Sequence, residues 1–342
     1  MPYKIAINGY GRIGRCVLRA LYESDYYQSH FTPVAINEVA NSEAVFHLTK
    51  YDSTHGRFPL PVKYTGGNLV INDQKIRVLG IKDFNRLPWD EMDIDIVLEC
   101  SGSFKDRATA YKHIKQGAKR LIFSQPATRE VDATIVYGVN HQIIKPTDII
   151  ISNASCTTNC IIPVIKILDE ALEIEHATIT TIHSAMHDQP VIDAYNTDLR
   201  KTRSALQSII PVSTGLDKGI TRILPKFDGK IETLAIRVPT TNVSLMDLTA
   251  QVKRDTSQEE VNLLLKDAAQ KQFSRIMNFN EEQLVSCDFN HDRSSSIIDG
   301  NQTRVSGKKL VKVMSWFDNE WGYANRMLDT AIELSKYIGH FS

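Results

Sequence analysis

Apolar positions in the first half of the chain alternate between short β-rich runs and segments with helical spacing. Four runs rich in branched apolar residues indicate strands: residues 4–8, 33–37, 95–100 and 120–124. Two segments with helical spacing lie between them, at 15–22 and 106–114. This alternation predicts an α/β domain, doubly wound, whose parallel sheet carries helices on both faces. Residues 62–78, with a Gly66-Gly67 turn, predict an antiparallel insertion.

The second half has a different pattern, richer in strands. Apolar runs cover residues 177–182, 222–239 and 243–252, and a segment with helical spacing, 324–337, follows near the end of the chain. We expect an α+β domain with a mostly antiparallel sheet, followed by a helix that returns to the first domain. The predicted domains are residues 1–154 joined by the C-terminal helix 320–342, and residues 155–319.

Composition and charge limit the classes of protein to which this chain can belong. The chain has 342 residues, 42% of them hydrophobic, which is enough for a large core and two domains. Lys and Arg total 40, as do Asp and Glu, so we expect no nucleic-acid partner. No stretch reaches the ~18 consecutive apolar residues of a membrane span, and no signal peptide is recognisable. Five cysteines, an odd number, indicate free thiols in a reducing cytosol.

A dinucleotide fingerprint follows the first predicted strand. Gly9, Gly11 and Gly14 have the G-x-G-x-x-G spacing and open a predicted helix, which is the context of a Rossmann-type domain. Glu38 ends the second predicted strand, where an acidic side chain should bind the ribose hydroxyls. Lys82 and the loop after Cys100 fall where such a fold contacts its adenine or nicotinamide, although both could be plain surface.

Cys156 is the candidate nucleophile. It lies between an apolar run, 147–152, and a buried helical segment, 161–168, that contains a proline. Unpaired N–H groups at a helix start lower a thiol pKa, and a nearby protonated histidine lowers it further. Most cysteines are inert, and Cys160, one turn further along, is expected to be a core residue. The spacing of the two cysteines does not match a zinc site, so no metal is predicted.

His183, at the end of the run 177–182, is the candidate base. A single histidine after a strand is more often a structural residue held by hydrogen bonds. The case for catalysis rests on a partnership with Cys156. Thiolate attack on an aldehyde and the hydride transfer that follows both need a base to manage the proton.

Five motifs occur in a fixed order along the chain. They are residues 7–15 (INGYGRIGR), 152–160 (SNASCTTNC), 208–211 (SIIP), 237–240 (RVPT) and 318–323 (DNEWGY). Through them the sequence resembles the glyceraldehyde-3-phosphate dehydrogenase superfamily from end to end. The resemblance implies a homotetramer that oxidises an aldehyde phosphate with NAD. It also implies a thiohemiacetal on Cys156, hydride transfer to NAD assisted by His183, and an acyl-enzyme thioester.

By match of motif, the resemblance assigns binding roles as well. The residues expected at the cofactor are Gly9, Gly11, Arg12, Ile13, Gly14, Glu38, Lys82, Ser124, Asn319 and Tyr323. Those expected at the substrate and its anions are Ser155, Thr157, Asp188, Arg200, Thr214, Gly215 and Arg237. Without the resemblance, we would interpret Thr214-Gly215 as part of an ordinary loop and Arg237 as a member of a surface ion pair.

Two departures from the superfamily pattern bear on the substrate. Met186 stands where the family commonly has a threonine that binds the substrate phosphate, and Glu38 where it commonly has aspartate. Together with segments 288–292 and 300–307, Met186 and Glu38 resemble the pattern of the erythrose-4-phosphate dehydrogenase branch. That branch oxidises D-erythrose 4-phosphate to 4-phosphoerythronate without inorganic phosphate, toward pyridoxal phosphate. Phosphorylating glyceraldehyde-3-phosphate dehydrogenase is the alternative. A non-catalytic scaffold is a third, although it would not need both Cys156 and His183.

Overall fold

The computed structural model describes residues 2–339, which divide into two compact units. Within the described residues, the first unit comprises 2–155 and 323–339, and the second comprises Cys156–Gly322. Among residues 2–339, no helix combines the length and the apolar character that crossing a membrane requires.

The first unit contains, in chain order, most of the parallel strands. Its elements are β1 (Tyr3–Asn8), α1 (Arg12–Tyr22), α2 (Asp25–His30), β2 (Phe31–Asn37), α3 (Ser42–Lys50), β3 (Tyr51–Asp52), β4 (Gly56–Arg57), β5 (Val62–Thr65), β6 (Asn68–Ile71), β7 (Gln74–Leu79), β8 (Ile96–Glu99), α4 (Arg107–Lys115), β9 (Arg120–Phe123), β10 (Ala133–Thr134) and β11 (Ile150–Ser152).

The second unit is dominated by longer strands. Its elements are α5 (Cys156–Leu172), β12 (Ile174–Ser184), β13 (Ile210–Val212), α6 (Leu216–Ile223), β14 (Ile231–Val238), β15 (Ser244–Val252), α7 (Gln258–Gln270), β16 (Met277–Asn280), β17 (Ser296–Asp299), β18 (Arg304–Ser306) and β19 (Leu310–Phe317). The last helix, α8 (Trp321–Ser335), begins at the end of this unit and continues into the first.

A nine-stranded sheet organises the first unit, in the order β10-β11-β9-β8-β1-β2-β7-β6-β5. Every neighbouring pair from β10 to β7 is parallel, and only the β7–β6 and β6–β5 pairs are antiparallel. Ile5, Ile7, Val97 and Leu98 are fully buried, as expected for parallel strands covered on both faces. The α/β prediction is confirmed. The predicted antiparallel insertion is an edge hairpin of the same sheet, because β7 pairs with β2.

The second unit is built on an eight-stranded sheet, in the order β13-β14-β12-β15-β19-β17-β16, with β18 paired to β19. Its pairs are antiparallel except β12–β14 and β16–β17, which confirms the mostly antiparallel prediction. The predicted β-rich run 222–239 is wrong at its start. Arg222 belongs to α6, whose buried Leu216 and Ile220 have the four-residue spacing of one helix face.

Helix α8 returns to the first unit, as predicted, and is held there by polar contacts. Thr330 Oγ1 donates to Asn153 Oδ1 at 2.7 Å, and Tyr27 OH donates to Asp329 Oδ1 at 3.1 Å. Within the helix, Arg326 Nη2 lies 2.6 Å from Asp329 Oδ2, and both side chains are at most 2% exposed. A carboxylate buried this deeply is tolerated because a cation lies beside it.

We predict that Arg326→Met lowers the free energy of unfolding by about 3–5 kcal/mol, since it leaves the buried Asp329 carboxylate without its cation. The matched control is Lys336→Ala, which removes another i,i+3 ion pair, with Glu333, whose lysine side chain is 58% exposed. That loss should be below about 1 kcal/mol. Urea unfolding followed by circular dichroism measures both changes, and equal losses would contradict the prediction.

Candidate active site

The turn between β1 and α1 is shaped by its three glycines. Gly9 has φ +86°, and a Cβ there would lie 2.3 Å from Cα of Ser101. A Cβ on Gly14 would lie 2.4 Å from the carbonyl oxygen of Gly9. A Cβ on Gly11 would meet nothing within 4 Å. Gly9 and Gly14 are therefore required by packing, whereas Gly11 leaves open space at the start of α1, which fits a pyrophosphate.

A buried polar chain connects the carboxyl ends of β1, β2 and β8 beside this turn. Asn37 Nδ2 donates to Asn8 Oδ1 at 2.8 Å, and Asn8 Nδ2 donates to Glu99 Oε2 at 2.5 Å. Glu99 Oε1 accepts the backbone N–H of Ser101 at 2.8 Å. Burial raises the pKa of Glu99 to about 7, although these hydrogen bonds oppose it. The chain fixes the loops at the edge of a parallel sheet where dinucleotides bind.

Glu38 and Arg12 flank the glycine turn. Glu38 Oε2 accepts the backbone N–H of Tyr10 at 2.8 Å, so its partly exposed carboxylate lies where the ribose is expected. Arg12 contacts Asp52 through two nitrogens, at 2.5 and 3.2 Å. Burial would raise the pKa of Asp52, but Arg12 and backbone N–H groups lower it to about 2. Asp52 therefore holds the guanidinium of Arg12 in place beside the glycine turn.

The remaining predicted cofactor residues lie at several places in the fold. Ile13 is in the first turn of α1, and Lys82 is exposed in the loop after β7. The backbone N–H of Ser124 donates to the carbonyl of Glu99 at 2.9 Å. Tyr323 is 4% exposed, and its hydroxyl donates to the carbonyl of Ala154 at 2.9 Å. Tyr323 thus stabilises the turn that precedes Cys156.

Cys156 is the first residue of α5, as the sequence predicts, and it is partly buried. The expected direction of its pKa shift is wrong. Burial raises the pKa of the thiol to about 11, and this outweighs the backbone N–H of Thr157 and the charge of Arg237, which lower it. Cys160 is fully buried, and its Sγ lies 3.5 Å from Ser315 Oγ, which agrees with a core role. At rest the thiol is neutral, so a base must take its proton.

His183 is the penultimate residue of β12, near the predicted strand end, and it is paired in register with Arg237 of β14. Arg237 Nη1 is 2.6 Å from His183 Nδ1, and the carbonyl oxygen of Ser184 is 2.8 Å from the same nitrogen. Burial, together with the charge of Arg237, lowers the pKa of His183 to about 4. The imidazole is therefore neutral near pH 7 and able to accept a proton.

The two neighbours of Nδ1 favour different tautomers of His183. Arg237 can only donate, so it favours a bare Nδ1. The Ser184 carbonyl can only accept, so it favours Nδ1–H and leaves Nε2 as the base. An anion that draws the guanidinium of Arg237 away from Nδ1 would therefore favour the tautomer that can deprotonate a thiol at Nε2.

The segment after β12 brings further charges to Arg237. Asp188 Oδ2 contacts Lys201 Nζ at 2.9 Å. Burial acts to raise the pKa of Asp188, but Lys201 and Arg237 together lower it. Arg200 is exposed, and its Nη1 donates to the carbonyl of Pro211 at 3.5 Å. Arg237 and Asp188 therefore belong to one electrostatic cluster, and among residues 2–339 no hydrogen bond or ion pair joins Arg200 to it.

Two helix starts lie side by side in the second unit. A Cβ on Gly219 of α6 would lie 2.9 Å from Oγ1 of Thr158 in α5, so the first turns of the two helices are in contact. Thr214 Oγ1 accepts the backbone N–H of Leu216 at 3.3 Å, and Gly215 is the N-cap of α6. Ser155 and Thr157 flank the start of α5. The positive ends of two adjacent helix dipoles suit an anion.

Sequence reasoning missed Ser184 and Ser244. Both hydroxyls donate to Asn319 Oδ1, at 3.0 and 2.9 Å. Asn319 was predicted from its motif, but its two partners come from different strands, β12 and β15. Only the adjacency of Ser184 to His183 could have drawn attention to one of them.

We predict that Cys156→Ala abolishes NADH formation from an aldehyde phosphate, and that His183→Asn lowers the rate by about 10²–10⁴. The control is Cys287→Ser, because Cys287 is exposed and free, and this variant should keep full activity. Iodoacetate should label Cys156 and Cys287 but not the fully buried Cys160. An active Cys156→Ala enzyme would refute the assignment.

A second prediction distinguishes the role of Gly11 in cofactor binding from the role of Gly14 in packing. Gly11→Ala should leave the unfolding transition unchanged but weaken NAD binding by about tenfold or more, because the added methyl occupies the space for the pyrophosphate. Gly14→Ala should destabilise the fold, because its Cβ would collide with the carbonyl of Gly9. Calorimetric binding and urea unfolding measure the two effects. Equal stability losses in both variants would count against this distinction.

Two family descriptions match the chain over well more than half of its length. "Glyceraldehyde 3-phosphate dehydrogenase, NAD binding domain" matches residues 3–107, and "Glyceraldehyde 3-phosphate dehydrogenase, C-terminal domain" matches residues 155–319. The first match agrees with the glycine turn and Glu38, and it shows that the cofactor is NAD. The chain therefore belongs to the glyceraldehyde-3-phosphate dehydrogenase family and is an NAD-dependent oxidoreductase that acts on an aldehyde phosphate.

Proposed function

We propose that this enzyme oxidises D-erythrose 4-phosphate to 4-phosphoerythronate in the cytosol, without inorganic phosphate, as a step toward pyridoxal phosphate. The observation that carries the proposal is Met186. This residue lies two positions beyond the end of β12, which carries His183, and its side chain is 37% exposed. A thioether cannot donate the hydrogen bond that a threonine gives to a phosphate at this position. The shorter aldehyde phosphate, glyceraldehyde 3-phosphate, therefore loses a contact.

Binding of the substrate anion rests on the cluster around Arg237. Its guanidinium can give paired hydrogen bonds to a phosphate or a carboxylate, and Lys201 adds a second positive charge through Asp188. A substrate one carbon longer places its phosphate at a different distance from Cys156, so geometry selects the chain length. Asp188 can accept hydrogen bonds from the additional hydroxyl group of the four-carbon sugar.

The chemistry starts with a proton transfer from Cys156 to Nε2 of His183. The thiolate then attacks the aldehyde carbon, and the imidazolium returns its proton to the developing alkoxide, which gives a thiohemiacetal. NAD, when bound, supplies the acceptor for the hydride that leaves this carbon. His183 takes the hydroxyl proton at the same stage, and a thioester on Cys156 results.

Hydrolysis completes the proposed cycle. His183 first releases the proton it took in the oxidation step to solvent. The neutral imidazole then removes a proton from water as the oxygen attacks the thioester carbon, and the departing Cys156 thiolate takes that proton from His183. The alternative is attack by inorganic phosphate, as in a phosphorylating glyceraldehyde-3-phosphate dehydrogenase. The adjacent starts of α5 and α6, with Thr157 and Gly215, support that alternative because they suit a free phosphate as well as a substrate phosphate.

We also propose a homotetramer. The segment between β12 and β13 exposes an unusual number of large apolar side chains: Val191 (66%), Ile192 (77%), Leu199 (81%), Leu206 (58%) and Ile209 (71%). An apolar surface of this kind is typical of an interface with another copy. Light scattering on the purified protein measures the assembly.

We predict a higher kcat/KM for erythrose 4-phosphate than for glyceraldehyde 3-phosphate, turnover independent of inorganic phosphate, and the free acid as product. Met186→Thr should raise kcat/KM for glyceraldehyde 3-phosphate by about tenfold, because it restores a hydrogen bond to a charged group. The matched control is Leu263→Thr, the same type of change at a 68% exposed leucine of α7. Turnover that requires phosphate and yields an acyl phosphate would assign the enzyme to the alternative.

A further inference from the structure

Two buried serines hold the side-chain amide of Asn319. Ser184 Oγ donates to Asn319 Oδ1 at 3.0 Å, and Ser244 Oγ donates to the same oxygen at 2.9 Å. The serines are 0% and 1% exposed. Both lone pairs of the amide oxygen are therefore occupied by protein hydroxyls.

The hydrogen bonds of Ser244 determine which way the amide is turned. Its Oγ accepts the backbone N–H of Ser184 at 3.1 Å, so the hydroxyl proton is left to donate. If Asn319 were flipped, two buried hydroxyl protons would face an NH₂ group, which accepts nothing. Leaving a buried donor unsatisfied costs about 1–3 kcal/mol, so the observed orientation is strongly favoured.

The backbone around Asn319 is equally well held. Asp318 Oδ1 accepts the N–H groups of Glu320 and Trp321 at 3.0 and 2.7 Å. Its other oxygen accepts the N–H of His291 at 2.8 Å and Nδ2 of Asn242 at 2.8 Å. Neither the backbone nor the amide plane can turn without breaking several of these bonds. Within residues 2–339, no protein acceptor lies at hydrogen-bond distance from Asn319 Nδ2.

We propose that Ser184 and Ser244 are positioning residues that make Asn319 a pure hydrogen-bond donor to the carbonyl oxygen of the nicotinamide carboxamide. The inference rests on the proposed function and on the place at the cofactor that the family motif gives to Asn319. Because Asn319 Oδ1 is saturated, it cannot accept the NH₂ group of the carboxamide. The enzyme therefore recognises through Asn319 the carbonyl of the cofactor and not its amide nitrogen.

The test compares NAD with 3-acetylpyridine adenine dinucleotide, whose acetyl group keeps the carbonyl acceptor but has no N–H donors. Calorimetry on the full-length protein gives the Kd of each dinucleotide. Asn319→Ala and Asn319→Asp should each weaken both dinucleotides by the same factor, on the order of tenfold. The aspartate is informative because its carboxylate still accepts from both serines but donates nothing.

The double variant Ser184→Ala/Ser244→Ala should change the ratio of the two dissociation constants. Without the hydroxyls, Asn319 Oδ1 is free to accept the carboxamide N–H of NAD, which the acetyl analogue does not have. We expect Kd(analogue)/Kd(NAD) to rise about threefold or more. The matched control is Ser296→Ala, which removes a buried serine–serine hydrogen bond of 2.8 Å in the same sheet and should leave the ratio unchanged.

An unchanged ratio in the double variant, or an equal rise in Ser296→Ala, would overturn the proposal. So would an Asn319→Asp protein that binds NAD as tightly as the wild type. Steady-state kinetics with whichever aldehyde phosphate is oxidised should give the same ratio as binding. If the protein binds NAD but oxidises no aldehyde phosphate, the proposed function fails, while the binding ratios still test the serines.

Discussion

The contact between Arg237 and His183 is the interaction on which the proposed catalytic chemistry depends. The parallel pairing of β12 with β14 sets the two residues opposite each other, and Arg237 Nη1 lies 2.6 Å from His183 Nδ1. The guanidinium helps to keep the imidazole neutral, so that it can accept a proton, and it favours the charged form of Cys156. The same cation is suited to a substrate anion. In the proposed function, substrate binding and the tautomer of His183 are therefore linked through a single side chain.

Burial and charge act in opposite directions at Cys156. Removal from water raises the pKa of the thiol. The backbone N–H groups at the helix start and the charge of Arg237 lower this pKa, but by less than burial raises it. Because the pKa of the Cys156 thiol is raised and that of the His183 imidazole is lowered, the uncharged resting form of both groups is favoured. Such a resting form also keeps Cys156 less nucleophilic toward other electrophiles until the base has taken its proton.

The geometry of the expected dinucleotide site depends on packing more than on charge. Gly9 and Gly14 allow the backbone of the first turn to lie against Ser101 and against itself, and the polar chain from Asn37 to Glu99 holds the strand ends in place. A similar arrangement occurs in the second unit, where the hydroxyl groups of Ser184 and Ser244 hold the side chain of Asn319 by hydrogen bonds. In both places buried polar side chains with satisfied hydrogen bonds set the geometry of groups that the family motifs assign to the cofactor.

The amino-acid sequence by itself determined the features that are local. The strand, glycine turn and helix from β1 to α1, and the start of a helix at Cys156, depend on short-range spacing and backbone chemistry. Tertiary structure decided the rest. It placed His183 opposite Arg237, assigned Arg222 to a helix, and brought Ser184 and Ser244 to Asn319. It also reversed the expected shift of the Cys156 pKa, because desolvation depends on what the whole chain packs around a group, and no local pattern encodes that.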